Sequence, residues 1–237
     1  MLEVIQMIYV ISDIHGEYEA YKKLLKTINF SEQDELFVLG DCIDRGSEPI
    51  KVLQDMMLRA NVYPIIGNHE YMALKVLKQL MREITEENCE SISNSNLMQE
   101  LLLWQQDGGN VTLEQFQKLS EEERYDLLEY LEEVSPYEEI EINNIQYVLV
   151  HAGLDNFSDE KDLSSYELYE LIFNSPDYNK MYYKDKYLVT GHLPTISIEG
   201  NDGEVIIKNN HIAIDCGKVF GGKLAAVCLD TMDMFYV

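Results

Sequence analysis

Along the first third of the chain, a short apolar run, a Gly or acidic turn and a stretch of helical spacing recur in succession. Residues 7–11 hold two Ile, a Tyr and a Val and predict a buried strand, ended by Ser12-Asp13-Ile14-His15-Gly16. Tyr18, Tyr21, Leu24, Leu25 and Ile28 then recur at helical spacing. Residues 36–39 predict a second strand, closed by Gly40-Asp41, and residues 49–60 a helix with Pro49 in its first turn. Residues 62–66 predict a third strand, closed by Gly67-Asn68, ahead of a helix over 71–82. Strands alternating with helices argue for a parallel α/β core.

The middle of the chain departs from this unit. From about 75 to 135 the spacing is helical and rich in Glu and Gln, with a polar break at Ser91-Ile92-Ser93-Asn94-Ser95-Asn96 and a turn at Asp107-Gly108-Gly109-Asn110. This predicts a helical insertion beside the site, inside a single domain spanning 1–237. Residues 138–142 and 145–150 flank Asn143-Asn144, a hairpin signal. Strand patterns follow at 187–190, 204–207, 211–214, 224–229 and 234–237, so a mixed sheet flanked by helices is expected. The fold class is α/β.

Composition narrows the function. The chain has 237 residues, 46% of them apolar, enough for a sizeable core. A net charge of −25 excludes a general basic surface for nucleic acid and disfavours docking on anionic lipid. Cys42, Cys89, Cys216 and Cys228 form no Cys-x-x-Cys pair, which suits reduced thiols in a cytosol. Leu2, Glu3 and Val4 open no basic and apolar leader, and no apolar run approaches the roughly 20 residues of a membrane span. A cytoplasmic location is expected.

The chemistry sits where strands stop. Asp13-x-His15 ends the first, Asp41 the second, and Asn68 with His69 the third; His151 follows 145–150 and His192 follows 187–190. Each alone has a plain structural explanation: Asp before a helix caps it, Gly-Asp makes a turn, and a strand-end His is satisfied within the fold. Four of the chain's five His nevertheless fall at such ends, and only His211 lies inside a predicted strand as a structural residue. In α/β sheets ligand sites gather at the carboxyl ends of strands, so these side chains can converge. Mixed Asp, His and Asn donors suit Mn, Fe or Zn in an open coordination shell, not a Cys-rich structural zinc.

Asp13-x-His15, Gly40-Asp41-x-x-Asp44-Arg45-Gly46, Gly67-Asn68-His69-Glu70, His151-Ala152-Gly153 and Gly191-His192 together resemble the signature of the PPP-type serine/threonine phosphatases, in the bacterial and phage branch of the calcineurin-like metallophosphoesterases. Ile214-Asp215-Cys216-Gly217 and Gly221-Gly222-Lys223-Leu224 extend the resemblance over nearly the whole chain. It implies a central β-sandwich with outer helices and two divalent metal ions, manganese foremost. Asp13, His15 and Asp41 would hold one ion, and Asp41, Asn68, His151 and His192 the other. A bridging hydroxide would leave such a centre near +1, attractive to a phosphate dianion. His69 would protonate the leaving oxygen, oriented by Asp44, and Arg45 would offer its fork to phosphate.

Two details separate this chain from relatives. Pro194 stands two residues after His192, where many nucleases and phosphodiesterases of the superfamily carry a second His. Ser175 stands where bacterial relatives place a second phosphate-binding Arg, with Lys180 or Lys184 as point-charge substitutes. Trp104 with Asp107-Gly108-Gly109-Asn110 resembles the insertion turn that borders the site; a Trp packed under the helices is the other reading. The expected activity is hydrolysis of phosphate monoesters, in phosphoserine, phosphothreonine or phosphotyrosine of proteins or in small phosphoesters. The alternative is hydrolysis of dinucleoside polyphosphates.

Overall fold

The structure is a computed structural model that describes residues 6–83, 85 and 96–237. Leu2, Glu3, Val4, Cys89 and the polar break up to Ser95 lie outside these residues. Within them, β1 (Ile8–Ile11), β2 (Glu35–Leu39) and β3 (Val62–Ile65) run parallel, as the alternating pattern predicts. The antiparallel β9 (Ala225–Cys228) and β10 (Met234–Tyr236) complete a sheet of order β10-β9-β1-β2-β3. The second sheet, in order β4-β5-β6-β8-β7, is built from Tyr137–Ile142, Ile145–Val150, Lys186–Thr190, His211–Ala213 and Ile206–Lys208.

Period-two alternation sorts the strand residues into layers. Val10, Phe37 and Leu39 of the first sheet meet Tyr147, Leu149, Val189 and Ile212 of the second and form the core between the sheets. Their neighbours Tyr9, Ile11, Leu36 and Val38 face α1 (Tyr18–Thr27), α2 (Pro49–Met57) and α3 (Asn68–Leu80). Val148, Val150 and Leu188 face the opposite outer layer, with Leu154, Leu163, Leu171 and Ile172. Val10, Leu39, Leu149 and Val189 are fully buried, and burial of each such side chain contributes about 1.5–3 kcal/mol. The result is a mixed β-sandwich with helices on both outer faces.

The predicted insertion is helical in α4 (Leu97–Trp104), α5 (Asn110–Phe116) and α6 (Glu121–Glu132). Trp104, Leu113, Phe116, Leu127, Leu128 and Leu131 enter the same core as β1 and β2. The turn expected at Asp107-Gly108-Gly109-Asn110 is present as a kink between α4 and α5, where Gly108 leaves the helical region at φ 103°. A Cβ on Gly109 would lie 2.5 Å from the Trp104 ring, so glycine lets the helix press against the indole.

Smaller shifts have local causes. Helix α3 begins three residues early because the Glu70 carboxylate accepts the Gly67 N–H at 3.0 Å and caps it. Helix α2 ends at Met57, where Arg59 N–H turns back to Met56 O and sends the chain into β3. Strand β7 starts at Ile206 because the Asn201 side chain takes the amides of Gly203 and Glu204 into a turn. The β4–β5 hairpin forms as predicted, with Asn143 and Asn144 both at positive φ as a type I′ turn requires.

His211 lies in β8, buried against Tyr178 and Tyr182, with a 2.9 Å hydrogen bond between its Nε2 and Thr190 Oγ1. Burial pushes its pKa down to about 4. Protons therefore favour the unfolded chain, in which His titrates near 6.5. The stability that neutral His211 contributes is intact above that value and is lost as pH falls toward 4. Urea midpoints should show His211→Gln less stable than wild type at pH 7, with the gap narrowing by pH 5; a gap that holds constant would contradict this.

Candidate active site

The carboxyl ends of β1–β3 and of β5–β6 meet at one rim. His151 Nδ1–H donates to Leu39 O at 2.7 Å and His192 N–H donates to Asp13 Oδ2 at 3.0 Å, so the rim joins both sheets. Asp13, His15, Asp41, Asn68, His69 and His151 are all buried there. Asp13, His15, Asp41, Asp44, Arg45 and His192 adopt φ between 44° and 69°, left-handed backbone that costs an ordinary L-residue about 1–2 kcal/mol. Apart from Met232, every other described non-glycine residue with positive φ is Asn, which tolerates it best. Strain is thus concentrated at this rim. Gly191 lets the two sheets close: a Cβ there would overlap Ser12 Oγ and Asp13 Oδ2.

The donor set fits divalent cations. His15 Nδ1–H donates to Ile43 O at 3.0 Å, and His151 is fixed by Leu39 O, so both rings turn an unprotonated Nε2 into the site, that of His15 accepting from Arg45 Nη1. His151 Nε2 lies 2.9 Å from Asn68 Oδ1, 3.1 Å from His192 Nδ1 and 3.4 Å from Asp41 Oδ1. Asp13 Oδ1 and His69 Nε2 are buried without a partner, and Asp13 Oδ1 lies 3.9 Å from His15 Nε2. Asp41, His151 and His192 present ligand atoms within 4.8 Å of one another, as do His15, Asp41 and His69. Acceptors crowded this way repel one another unless a cation lies among them.

Protonation follows the same logic. Burial raises the Asp13 carboxyl well above the usual range, with Asp215 adding to it, and burial raises Asp41, with Asp13 adding to it. Burial lowers His15 and His151 well below the ordinary imidazole value and His192 to about 4. These imidazoles are therefore neutral at pH 7. The carboxylates need nearby positive charge to stay ionised.

Beside this cluster stands a second unit. Asp44, fully buried, accepts from His69 Nδ1 at 2.6 Å, Trp104 Nε1 at 2.7 Å and Thr112 Oγ1 at 2.5 Å. Its own N–H donates to Thr112 Oγ1 at 3.0 Å. Both readings of Trp104 thus hold: it is core, and it anchors a site residue. Arg45 makes no ion pair with Asp44. It reaches across to Asp107, with Nη2 on Oδ1 at 2.6 Å and Nε on the carbonyl at 3.2 Å, while Nη1 donates to His15 Nε2 at 2.8 Å.

Several residues that shape the site were not assigned a part by sequence. Glu70 accepts from the amides of Asp41, Cys42, Ile43 and Gly67 and so shapes the loop that carries Asp41. Its signal was available, because a Glu three residues after a helix cap is a capping pattern. Thr112 acts across 68 residues and carries no local signal, whereas Asp107, in the turn that resembles one bordering the site, reaches Arg45 across 62. The expected lysine substitutes take other places. Lys180 Nζ lies 4.7 and 4.8 Å from the rings of Phe157 and Tyr182, and Lys184 lines a pocket with Glu139 and Asp159. Ser175 is exposed.

A family model described as calcineurin-like phosphoesterase matches residues 7–233. The chain belongs to that family. As a calcineurin-like phosphoesterase it carries the metal-dependent phosphoester hydrolase fold, and its Asp, His and Asn cluster is the kind that holds a dinuclear centre in the family. A relative from Oceanobacillus iheyensis, an asymmetrical bis(5'-nucleosyl)-tetraphosphatase, is 25% identical over 92% of this chain and 86% of its own. A symmetrical bis(5'-nucleosyl)-tetraphosphatase from Wigglesworthia glossinidia brevipalpis is 34% identical over 40% of this chain, so this phosphoesterase spans 36% of that enzyme's length. The fold is also that of a solved structure provisionally described as a diadenosine tetraphosphatase, with TM-score 0.67, 19% identity and coverage of 100% and 95%. A yeast protein serine/threonine phosphatase shares it at TM-score 0.54 and 14% identity, over 94% of this chain and 72% of its own.

Replacing the indole of Trp104 with the apolar ring of Phe keeps most of the packing and removes one donor from a buried carboxylate. Trp104→Phe is expected to lower unfolding stability by about 1–3 kcal/mol, measured by urea denaturation. An unchanged midpoint would contradict the anchoring of Asp44.

Proposed function

We propose that this phosphoesterase hydrolyses dinucleoside polyphosphates, with Asp13, His15 and Asp41 holding one divalent ion and Asp41, Asn68, His151 and His192 the other. The reading is supported chiefly by the tetraphosphatase relative that aligns over 92% of the chain. It moves the dinucleotide substrate ahead of the protein phosphoesters that the PPP resemblance favours. The whole of 1–237 acts as one domain in this reading, in the cytoplasm, since the insertion shares its core with β1 and β2. Among the described residues no helix is long and apolar enough to cross a membrane.

Two divalent ions, manganese foremost and iron or zinc with the same donors, would supply charge neutralisation and a water that ionises near neutral pH. The chain supplies the rest. Asp44 accepts from His69 Nδ1–H and turns Nε2 into the site, 3.9 Å from Asp41 Oδ2; His69 as imidazolium would give its Nε2 proton to the leaving phosphate oxygen and end as the neutral ring. His69 also falls near His15 and Asp41 as a candidate ligand. We assign it to proton transfer because Asp44, Trp104 and Thr112 form a buried hydrogen-bonded chain behind it. Arg45, tied to Asp107 and to His15 Nε2, would offer its remaining N–H groups to phosphate oxygens.

A second reading keeps the same machinery and takes phosphomonoesters of proteins. The net charge of −25 favours basic phosphopeptides for it. Product analysis separates the two. With Mn²⁺ added to metal-stripped protein, diadenosine tetraphosphate should yield nucleotides, and asymmetric cleavage would give one monophosphate and one triphosphate. His69→Asn should reduce kcat about 100-fold with little change in KM. Free phosphate from phosphopeptides with no nucleotide from the tetraphosphate would reverse the order of the readings. A His69→Asn variant with full turnover would remove the proton donor.

A further inference from the structure

Phe220 is a large apolar side chain that folding leaves 59% exposed. It does not lie on an idle surface. Its ring sits 5.3 Å from the Arg45 guanidinium carbon, at the mouth of the site. The turn that carries it is closely tied. Gly217 N–H donates to Asp215 Oδ1 at 2.8 Å, Phe220 N–H to Gly217 O at 2.9 Å and Gly222 N–H to Gly217 O at 2.9 Å. Gly217 and Gly221, at φ 72° and 87°, bound the short 3-10 turn Lys218–Phe220, and a Cβ on Gly222 would overlap Cys216 O. The backbone spends its hydrogen bonds on holding an exposed aromatic ring over the phosphate-binding arginine.

A ring placed there has one use for a cation and room for another partner. One part of its surface contacts the guanidinium, and more than half of the residue's surface stays open to solvent. Among the described arginines Arg45 is the one whose contacts reach the site; Arg59 pairs with Asp55, Arg124 with the carbonyls of Phe116 and Gln117, and Arg82 lines a surface pocket with Lys78 and Tyr125. A substrate that carries bases can add to its ionic contacts an affinity that is not ionic. Base–aromatic stacking supplies it, because every base has a π-face.

We infer that Phe220 is a specificity-determining residue that stacks a nucleobase of the substrate while Arg45 holds the phosphates attached to it. The inference rests on the dinucleoside polyphosphate reading and adds to it the residue that recognises the nucleoside end. Phosphate contacts position such a ligand; the stacked base makes it a nucleotide site.

The test compares a ligand with bases and one without, on the manganese-loaded full chain. Phe220→Ala and Phe220→Leu should raise KM for diadenosine tetraphosphate on the order of tenfold, and weaken the Kd of β,γ-methylene-ATP in calorimetry by a similar factor. Phe220→Trp should keep or improve both. Inhibition by inorganic tripolyphosphate, which has no base, should change less than about twofold in all three variants. If tripolyphosphate weakens in step with the nucleotides, Phe220 acts through Arg45 and the inference is overturned. Unchanged nucleotide affinity in Phe220→Ala overturns it as well. Wild-type protein that releases phosphate from p-nitrophenyl phosphate but no nucleotide from the tetraphosphate overturns the substrate reading, and this inference with it.

Discussion

Asp41 is a carboxylate buried among other acceptors at the seam between the two sheets. Its oxygens lie 3.7 Å from His15 Nε2, 3.9 Å from His69 Nε2 and 3.4 Å from His151 Nε2. Burial and the neighbouring Asp13 both oppose its charge. A carboxyl so placed keeps its proton unless something positive enters the site, since an unpaired buried charge costs several kcal/mol. The rest of the site is organised around that deficit. Glu70 grips the amides of the loop that carries Asp41, and neutral imidazoles fixed by the carbonyls of Ile43 and Leu39 aim lone pairs toward it.

Backbone strain has the same centre. Six site residues hold left-handed φ values, a conformation that persists only where surrounding contacts over-determine it. Those contacts come from both sheets and from the insertion. The insertion reaches the site at two points, where Trp104 and Thr112 hold Asp44 and where Asp107 holds Arg45. A segment that looks like decoration on the sandwich is thus part of the wall of the site. It does so through hydrogen bonds to one carboxylate and one ion pair.

Much of this was legible in the sequence, for reasons that differ by residue. Strand ends rich in Asp, His and Asn are visible because the parallel topology places carboxyl ends together, and Asp13, His15, Asp41, Asn68, His151 and His192 do converge. The hairpin at Asn143-Asn144 was readable because its turn type demands positive φ. Other features depend on packing between distant segments. The kink at Gly108 matches the local turn signal, but the contact of Gly109 with the Trp104 ring does not show in the sequence. Lys180 has the charge to substitute for an arginine, but the rings of Phe157 and Tyr182 take it elsewhere. Phe220 reads as one more apolar residue until Arg45 is found beneath it.

The central claim is that one buried carboxylate serves two cations. Equilibrium dialysis of metal-stripped protein against Mn²⁺ addresses it directly and needs no substrate. The account predicts two ions per chain for the wild type, one for His151→Gln, and loss of tight binding at both positions for Asp41→Asn. A wild type that binds a single ion, or an Asp41→Asn variant that still binds two tightly, would contradict it.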